Sequence, residues 1–331
     1  MSTPKHILFA VKDPDSRRYA AVDKVIRIAK SLGASLDFFN AISTPVFLEL
    51  EPLTGQSLGA LKRESLALCR RQLEKLAARA HKHGVATTVA VEWDFPPHEA
   101  IVRRAKATHA DLVVAECHKG HRRAPWLIRL TDWELLRESP VPVLLLKNAR
   151  AWRKARLLAA VDPSHAHAKP ARLDDTIVTT ALALTRKLGG NLDVMHANYP
   201  SMLTISSGDP AMDAAAMQLR YDEQKRLDQL GFQKLAKTHR LPKARCHLHD
   251  GQPATGIPRL ARNLRADVVV MGAVSRSGLK RVFIGSTAER VLESLPCDVL
   301  VVKTPRAEKR VTRQPRGMRI MAQPPTLSLP V

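Results

Sequence analysis

The fold is decided by residues 268–303, which read VVVMGAVSRSGLKRVFIGSTAERVLESLPCDVLVVK. Two continuous apolar runs, VVVM and DVLVV, bound the stretch, and such runs are typical of strands that are buried on both faces of a sheet. Between them lie a loop that contains Gly278 and Gly285 and a helical segment that starts at Ser286. Alternating buried strands and helices predict an α/β fold.

The same pattern occurs once more in the first half of the chain. HADLVVAE at 109–116 resembles RADVVVMG at 265–272, and VPVLLLK at 141–147 resembles PCDVLVVK at 296–303. The register is constant, because five pairs are each separated by 156 positions: Gly33/Gly189, Asp37/Asp193, Pro97/Pro253, Asp111/Asp267 and Lys147/Lys303. The chain is therefore two copies of one domain in tandem.

Each copy alternates five strand-like runs with helical segments. In the first copy the strands are expected at 6–11, 35–41, 86–93, 111–116 and 141–147, and in the second at 156–161, 191–197, 244–249, 267–271 and 298–303. This alternation predicts two five-stranded parallel sheets that are covered by helices on both faces. The boundaries are placed at 1–150 and 151–304. Residues 305–331 are rich in Pro, Arg and Lys and are expected to form a disordered basic tail.

Composition limits the cellular context and the class of partner. Lys and Arg number 53 against 31 Asp and Glu, which gives a net charge of +22 and a surface that attracts polyanions. No segment approaches the roughly 18 apolar residues of a membrane span, and no signal peptide is recognisable. Four isolated cysteines fit a reducing compartment. A cytoplasmic protein is expected.

The loop after the fourth strand of the second copy suits a phosphate group. Open parallel sheets bind ligands beyond the carboxyl ends of their strands. Gly272 ends this strand, and Gly285 precedes Ser286 and Thr287, whose N–H groups and hydroxyls open a helix and favour an anion. Asp162, at the end of the first strand, is placed to accept hydrogen bonds from an adenine or a ribose. Ordinary turn glycines and a helix N-cap explain the same residues equally well.

Residues 268–303 resemble the end of a universal stress protein domain, whose nucleotide signature is G-x2-G-x9-G-[ST]. The spacing matches, with Ser275 at the position of the second glycine, and the resemblance covers both copies, about 1–303. It implies the universal stress protein/adenine nucleotide alpha hydrolase-like fold with strand order 3-2-1-4-5 and a tandem, two-domain member. It also implies ATP, with Mg²⁺, or another adenine nucleotide in the second copy. The residues that it places at the site are Asp162, Ala197, Met271, Gly272, Ser275, Gly285, Ser286 and Thr287.

The first copy lacks this signature. Glu116 corresponds to Gly272, Lys119 to Ser275, and Arg129 and Leu130 to Gly285 and Ser286. These positions therefore carry a carboxylate and two bulky side chains, whereas a phosphate would need direct access to the backbone. The first copy is therefore not expected to bind ATP in this way.

The leading hypothesis is a cytoplasmic universal stress protein that binds ATP in the second domain and acts as a regulatory or stress-resistance module. No general base is evident near the loop, so no dedicated enzyme activity is expected, and slow ATP hydrolysis stays open. A homodimer is also left open. The alternatives are a nucleotide-independent protein that binds nucleic acid or anionic partners through its basic surface and tail, and a binder of a lipid or small molecule through the first domain. His247, His249 and Asp250 are treated as surface residues and not as a metal site.

Overall fold

The computed structural model describes residues 3–16, 19–44, 46–47, 57–117, 125–163, 172–199, 210–272, 286–303 and 314–321. It contains two compact units. The first repeat is built on Pro4–Ala151 and includes the described C-terminal residues 314–321, and the second repeat is built on Trp152–Ala307.

Among the described residues that precede the C-terminal segment, the first repeat contains six strands and four helices. They are β1 (His6–Ala10), α1 (Ala20–Leu32), β2 (Ser35–Ile42), β3 (Val46–Phe47), α2 (Leu58–Lys82), β4 (Thr87–Trp93), α3 (Pro97–Ala107), β5 (Leu112–Glu116), α4 (Pro125–Glu138) and β6 (Val143–Leu146). Within this unit the strands pair in the order β4-β2-β1-β5-β6, and every pair is parallel. Setting aside the short β3, this is the predicted order 3-2-1-4-5.

The second repeat contains five strands, four α-helices and a 3-10 turn among its described residues. They are β7 (Arg156–Val161), α5 (Leu173–Leu188), β8 (Asn191–Asn198), α6 (Pro210–Thr238), a 3-10 turn (Lys243–Arg245), β9 (Cys246–Asp250), α7 (Pro253–Asn263), β10 (Val268–Gly272), α8 (Ser286–Ser294) and β11 (Asp298–Val302). The pairs β9-β8, β8-β7, β7-β10 and β10-β11 are all parallel, which again gives the order 3-2-1-4-5.

The central strands form the core of each repeat. In the first repeat Ile7, Leu8 and Phe9 of β1 are fully buried, and Val269 and Val270 of β10 are fully buried in the second. Burial on both faces explains why these strands are continuous apolar runs and not alternating ones.

The constant offset between the copies corresponds to repeated structural features. Gly33 and Gly189 both end a helix in the left-handed conformation, with φ of 68° and 61°, which glycine adopts without steric cost. Asp111 accepts hydrogen bonds from the backbone N–H groups of Lys5 and His6 at the start of β1. Asp267 likewise accepts one from the backbone N–H of Arg156 at the start of β7. The two copies therefore share specific contacts and backbone conformations as well as a sequence pattern.

The run TDWELLRES at 131–139 is helical in its sequence pattern, and helix α4 contains most of it but starts before it. The helix begins six residues earlier, at Pro125. Proline is favoured in the first turn of a helix because its missing N–H has no intrahelical partner there. The sequence interpretation did not use this signal.

Part of the basic C-terminal segment lies among the described residues. Residues 314–321 are described as part of the first repeat, where β12 (Ile320–Met321) pairs in parallel with β3. The backbone N–H groups of Arg316 and Gly317 donate to Asp94 Oδ1 over 2.8 and 2.9 Å. A buried carboxylate thus supplies a hydrogen-bond acceptor for this segment, which composition alone cannot show.

None of the helices in the described part of the chain combines enough length with enough apolar residues to cross a membrane.

Candidate functional site

The carboxyl ends of three neighbouring strands bring together four of the predicted nucleotide-site residues. Strand β7 lies between β8 and β10, and all three run in the same direction. Asp162 directly follows β7 and lies next to Ala197, because Val161 is in register with His196. Met271 and Gly272 end β10. The structure therefore places Asp162, Ala197, Met271 and Gly272 at the same edge of the second repeat.

The backbone of Asp162 is held by a neighbouring carboxylate. Its N–H donates to Asp174 Oδ1 over 3.0 Å, and Asp174 lies in the first turn of α5. The Asp162 side chain is 49% exposed, and its Oδ1 lies 3.8 Å from His196 Nδ1. The fixed backbone and the half-exposed carboxylate make Asp162 a positioned hydrogen-bond acceptor at the sheet edge.

A buried polar pair lies behind Asp162 and was not anticipated from the sequence. His196 and Asp228 are each 1% exposed, and His196 Nε2 lies 3.7 Å from Asp228 Oδ2. His196 Nδ1 donates to the carbonyl of Val161 over 3.1 Å, and Gln224 donates to Asp228 Oδ1 over 2.7 Å. The pair joins β8 to α6 next to the site. A charged residue in a largely polar helix gives no sequence signal of such burial.

Gly272 has a structural explanation that is independent of any ligand. A Cβ atom at this position would lie 2.7 Å from Leu173 Cδ2, at the start of α5. The packing of Leu173 therefore favours a residue without a side chain at position 272. Met271 is 7% exposed, so its side chain belongs mainly to the core.

The remaining predicted positions lie on the loop and at the start of α8. Ser275 and Gly285 lie outside the described residues. Ser286 and Thr287 form the first positions of α8. The sequence predicted a helix that starts at Ser286, and Ser286 is the first described residue of α8.

The first repeat differs from the second at the corresponding edge. Strand β5 ends at Glu116, and its equivalent in the second repeat, β10, ends at Gly272. Arg129 and Leu130, which correspond to Gly285 and Ser286, lie inside α4, because this helix begins at Pro125. Residues 129 and 130 are thus past the first turn of α4, and their backbone N–H groups are used by hydrogen bonds within the helix. Lys119 lies outside the described residues.

The two histidines of β9 contact different partners. His247 Nε2 lies 2.8 Å from Asp193 Oδ1, and His249 Nδ1 lies 3.1 Å from Arg259 Nη2. Burial, followed by the nearby Arg259, lowers the pKa of His249. The two imidazoles therefore contact side chains of different elements, Asp193 of β8 and Arg259 of α7.

A cluster of potential metal ligands lies in the first repeat and was missed from the sequence. His98 lies near the start of α3, and Glu134 and Glu138 lie one turn apart on α4. One ligand atom from each side chain lies within 4.8 Å of the others. Burial is the main cause that lowers the pKa of His98, and Arg316 lowers it further, against the opposing effect of Glu134 and Glu99.

Comparison with known proteins connects this architecture to one family. The sequence profile of the universal stress protein family matches residues 3–147 and 156–303, which are the two repeats. The chain is 26% identical over 297 residues to universal stress protein E of Salmonella typhi, a match that covers 89% of this chain and 93% of that protein.

Solved structures show the same fold over nearly the whole chain. A protein of Pseudomonas aeruginosa PAO1, described as functionally unknown, aligns with a TM-score of 0.67 at 24% identity, over 92% of this chain and 94% of that one. A universal stress protein from Archaeoglobus fulgidus aligns with a TM-score of 0.61 at 18% identity, over 91% and 97% of the two chains. Because the family profile matches both repeats, the chain belongs to the universal stress protein family, as a tandem member that resembles universal stress protein E.

Proposed function

We propose that this universal stress protein binds an adenine nucleotide, ATP with Mg²⁺, at the carboxyl edge of the second repeat. The observation that carries the proposal is the meeting of Asp162 and Ala197 at the ends of β7 and β8, next to the end of β10. Ligands of open parallel sheets bind at this edge, outside the strand ends.

The chemistry of these positions suits a nucleoside. Asp162 presents a half-exposed carboxylate, which accepts hydrogen bonds from an exocyclic amine or from ribose hydroxyls. Ala197 adds a small side chain beside it, which leaves room for a flat base. The N-terminus of α8 favours phosphate, because the first N–H groups of a helix have no intrahelical acceptor and carry partial positive charge.

The contrast with the first repeat supports a single nucleotide site. Glu116 ends β5 where Gly272 ends β10, and a carboxylate at this point repels phosphate. In addition, Leu130 lies within α4 and not at its start. We therefore assign the nucleotide to the second repeat alone, as a regulatory ligand that is bound without dedicated turnover.

The test compares one carboxylate from each repeat. Asp162→Ala removes the proposed acceptor, whereas Asp13→Ala removes an exposed carboxylate of the loop after β1 in the first repeat. Isothermal titration with ATP and Mg²⁺ should show that Asp162→Ala weakens binding roughly 10- to 100-fold, since a hydrogen bond to a charged group is worth about 1.5–3 kcal/mol. Asp13→Ala should bind as the parent does. Equal ATP affinity of Asp162→Ala and the parent, with both proteins folded by circular dichroism, would refute the assignment of Asp162.

A further inference from the structure

We propose that His98, Glu134 and Glu138 of the first repeat form a binding site for a divalent transition-metal ion of the Zn²⁺ or Mn²⁺ type. Their ligand atoms lie within 4.8 Å of one another. The site is separate from the proposed nucleotide site, which belongs to the second repeat. It would give the first repeat a ligand of its own.

The His98 side chain is the strongest single indication of a ligand. His98 is 9% exposed, and its ring faces a carboxylate oxygen of Glu138 on the neighbouring helix. Nε2 points towards Glu138 Oε2 over 3.6 Å, which is longer than a hydrogen bond. A cation bound between Nε2 and this carboxylate would bring the imidazole and the carboxylate onto one ion, as neutral histidine does in metal sites.

The two glutamates are arranged to share one ion with His98. Glu134 and Glu138 are four residues apart on α4, so their side chains leave the same face of the helix. Helices α3 and α4 pack against each other and bring His98 to that face. Ligand atoms around a tetrahedral Zn²⁺ lie about 3.4 Å apart, given bonds of about 2.0–2.2 Å, so small rotations of the side chains would close the site.

The ligand set favours particular metals. One imidazole nitrogen and two carboxylates suit Zn²⁺ and Mn²⁺, whereas the soft Cu⁺ ion prefers thiolate and thioether ligands. Three protein ligands also leave a coordination position for water. An open position of this kind is the arrangement of exchangeable and catalytic metal sites, in contrast to closed structural sites.

Neighbouring arginines orient the acidic side chains. Arg137 Nη1 donates to Glu134 Oε1 over 2.8 Å, so one oxygen of this carboxylate is held by an arginine of the same helix. Arg316 Nη2 donates to Glu99 Oε1 over 2.6 Å, which holds the carboxylate next to His98 in an ion pair with the C-terminal segment. Such surrounding hydrogen bonds are typical of metal sites, because they fix the orientation of the ligands.

The second repeat does not repeat the cluster. At the constant offset, His98 corresponds to Ala254, Glu134 to Arg290 and Glu138 to Ser294. The second repeat therefore supplies no ligand at these positions, and an Arg stands where one carboxylate lies in the first repeat. One ion per chain is expected.

The test is a titration of the full, tag-free chain with Zn²⁺. Two variants remove ligands, His98→Ala and the isosteric Glu138→Gln, and two exposed positions outside the cluster provide matched controls, His83→Ala and Glu64→Gln. The parent and the controls should bind one Zn²⁺ with the same affinity. Each ligand variant should bind at least about tenfold more weakly, since even residues that only orient metal ligands change affinity by about 10- to 100-fold.

X-ray absorption at the zinc edge identifies the bound ligands independently of affinity. The proposal predicts only nitrogen and oxygen neighbours at about 2.0–2.2 Å, whereas cysteine ligation would add sulfur at about 2.3 Å. A sulfur shell, a parent that binds no Zn²⁺ at micromolar concentration, or a folded Glu138→Gln variant with parental affinity would each overturn the proposal. If His98→Ala fails to fold, Glu138→Gln decides the result.

Discussion

Gly317 donates its backbone N–H to Asp94 Oδ1 over 2.9 Å, across 223 positions of the sequence. Asp94 is fully buried at the end of β4, and its Oδ2 accepts a hydrogen bond of 2.6 Å from Arg103. Arg316 adds a second backbone N–H to Oδ1. The C-terminal segment is thus anchored to the first repeat by a buried carboxylate.

Removal of the C-terminal segment should destabilise the first repeat. A chain that ends at Lys303 loses both N–H donors to Asp94, and a buried acceptor without its partners costs about 1–3 kcal/mol. Urea unfolding should therefore show a lower free energy of unfolding. A chain that ends at Gln323 keeps residues 314–321 and should match the parent. Equal stability of the two truncated chains would contradict the anchoring role of Asp94.

The anchoring also bears on the basic tail as a nucleic-acid contact. Arg316 pairs with Glu99, and the Arg319 guanidinium carbon lies 4.9 Å from the centroid of the Phe95 ring. These two cations are engaged within the first repeat. The structure of the described C-terminal residues therefore gives no specific support to the nucleic-acid alternative.

Substitution of Gly272 should reveal whether Leu173 or a ligand requires the glycine. Gly272→Ala places a Cβ at 2.7 Å from Leu173 Cδ2, and overpacking of this kind costs about 1–3 kcal/mol. The double variant Gly272→Ala/Leu173→Ala should be less destabilised than the sum of the two single variants, because the clash is gone. Thermal unfolding of all four proteins measures this coupling. Additive losses would show that Leu173 is not the reason for Gly272.

The equivalent aspartates of β2 and β8 should differ in their contribution to stability. Asp37 is fully buried and accepts two hydrogen bonds from Arg104, of 2.7 and 3.0 Å. Asp37→Ala should cost about 3 kcal/mol, at the low end of the range for breaking a buried pair, because Arg104 is 28% exposed and can partly regain water.

Asp193→Ala is the matched substitution in the second repeat. Asp193 accepts from Arg245 and His247, but Arg245 is 42% exposed, so it recovers more of its hydration when the partner is removed. The loss in free energy of unfolding, measured with urea, should be smaller than for Asp37→Ala. A larger loss for Asp193→Ala would reverse the expected order.

The cysteine thiols should react slowly in the folded protein. Burial is the main cause that raises the pKa of Cys117 to about 12 and that of Cys69 to about 11. Only the thiolate is nucleophilic, and a raised pKa lowers the thiolate fraction at pH 8. Modification by a disulfide reagent at pH 8 should be slow until urea unfolds the chain. Reaction of either thiol at the rate of free cysteine would contradict the burial of these side chains.

The constant offset of the repeat made much of the fold predictable. The strand order 3-2-1-4-5 and the place of Ala197 at the site were implied by the resemblance to universal stress proteins. The alternation of strands and helices, and the position of Asp162 at the end of a strand, follow from local patterns and from the rules for parallel sheets. These features depend on periodicity and on backbone conformation, which a single sequence records directly.

The contacts between distant segments were not predictable in the same way. His98 meets Glu134 and Glu138 only through the packing of α3 against α4. Asp94 meets Gly317 only because a Pro- and Arg-rich segment returns to the first repeat. Neither contact has a short-range motif, and composition alone favoured disorder for the C-terminal segment. The sequence likewise could not show whether position 272 is a glycine because Leu173 packs against it or because a ligand approaches the backbone there.

Equilibrium dialysis with labelled ATP and Mg²⁺ tests the central claim most directly. Three folded proteins are compared: the parent, Gly285→Glu, and Arg129→Glu, which alters the corresponding position of the first repeat. The account predicts one ATP per chain for the parent and for Arg129→Glu, and none for Gly285→Glu, since a carboxylate on the loop repels phosphate. No ATP on the parent at millimolar concentration, or parental binding by Gly285→Glu, would contradict it.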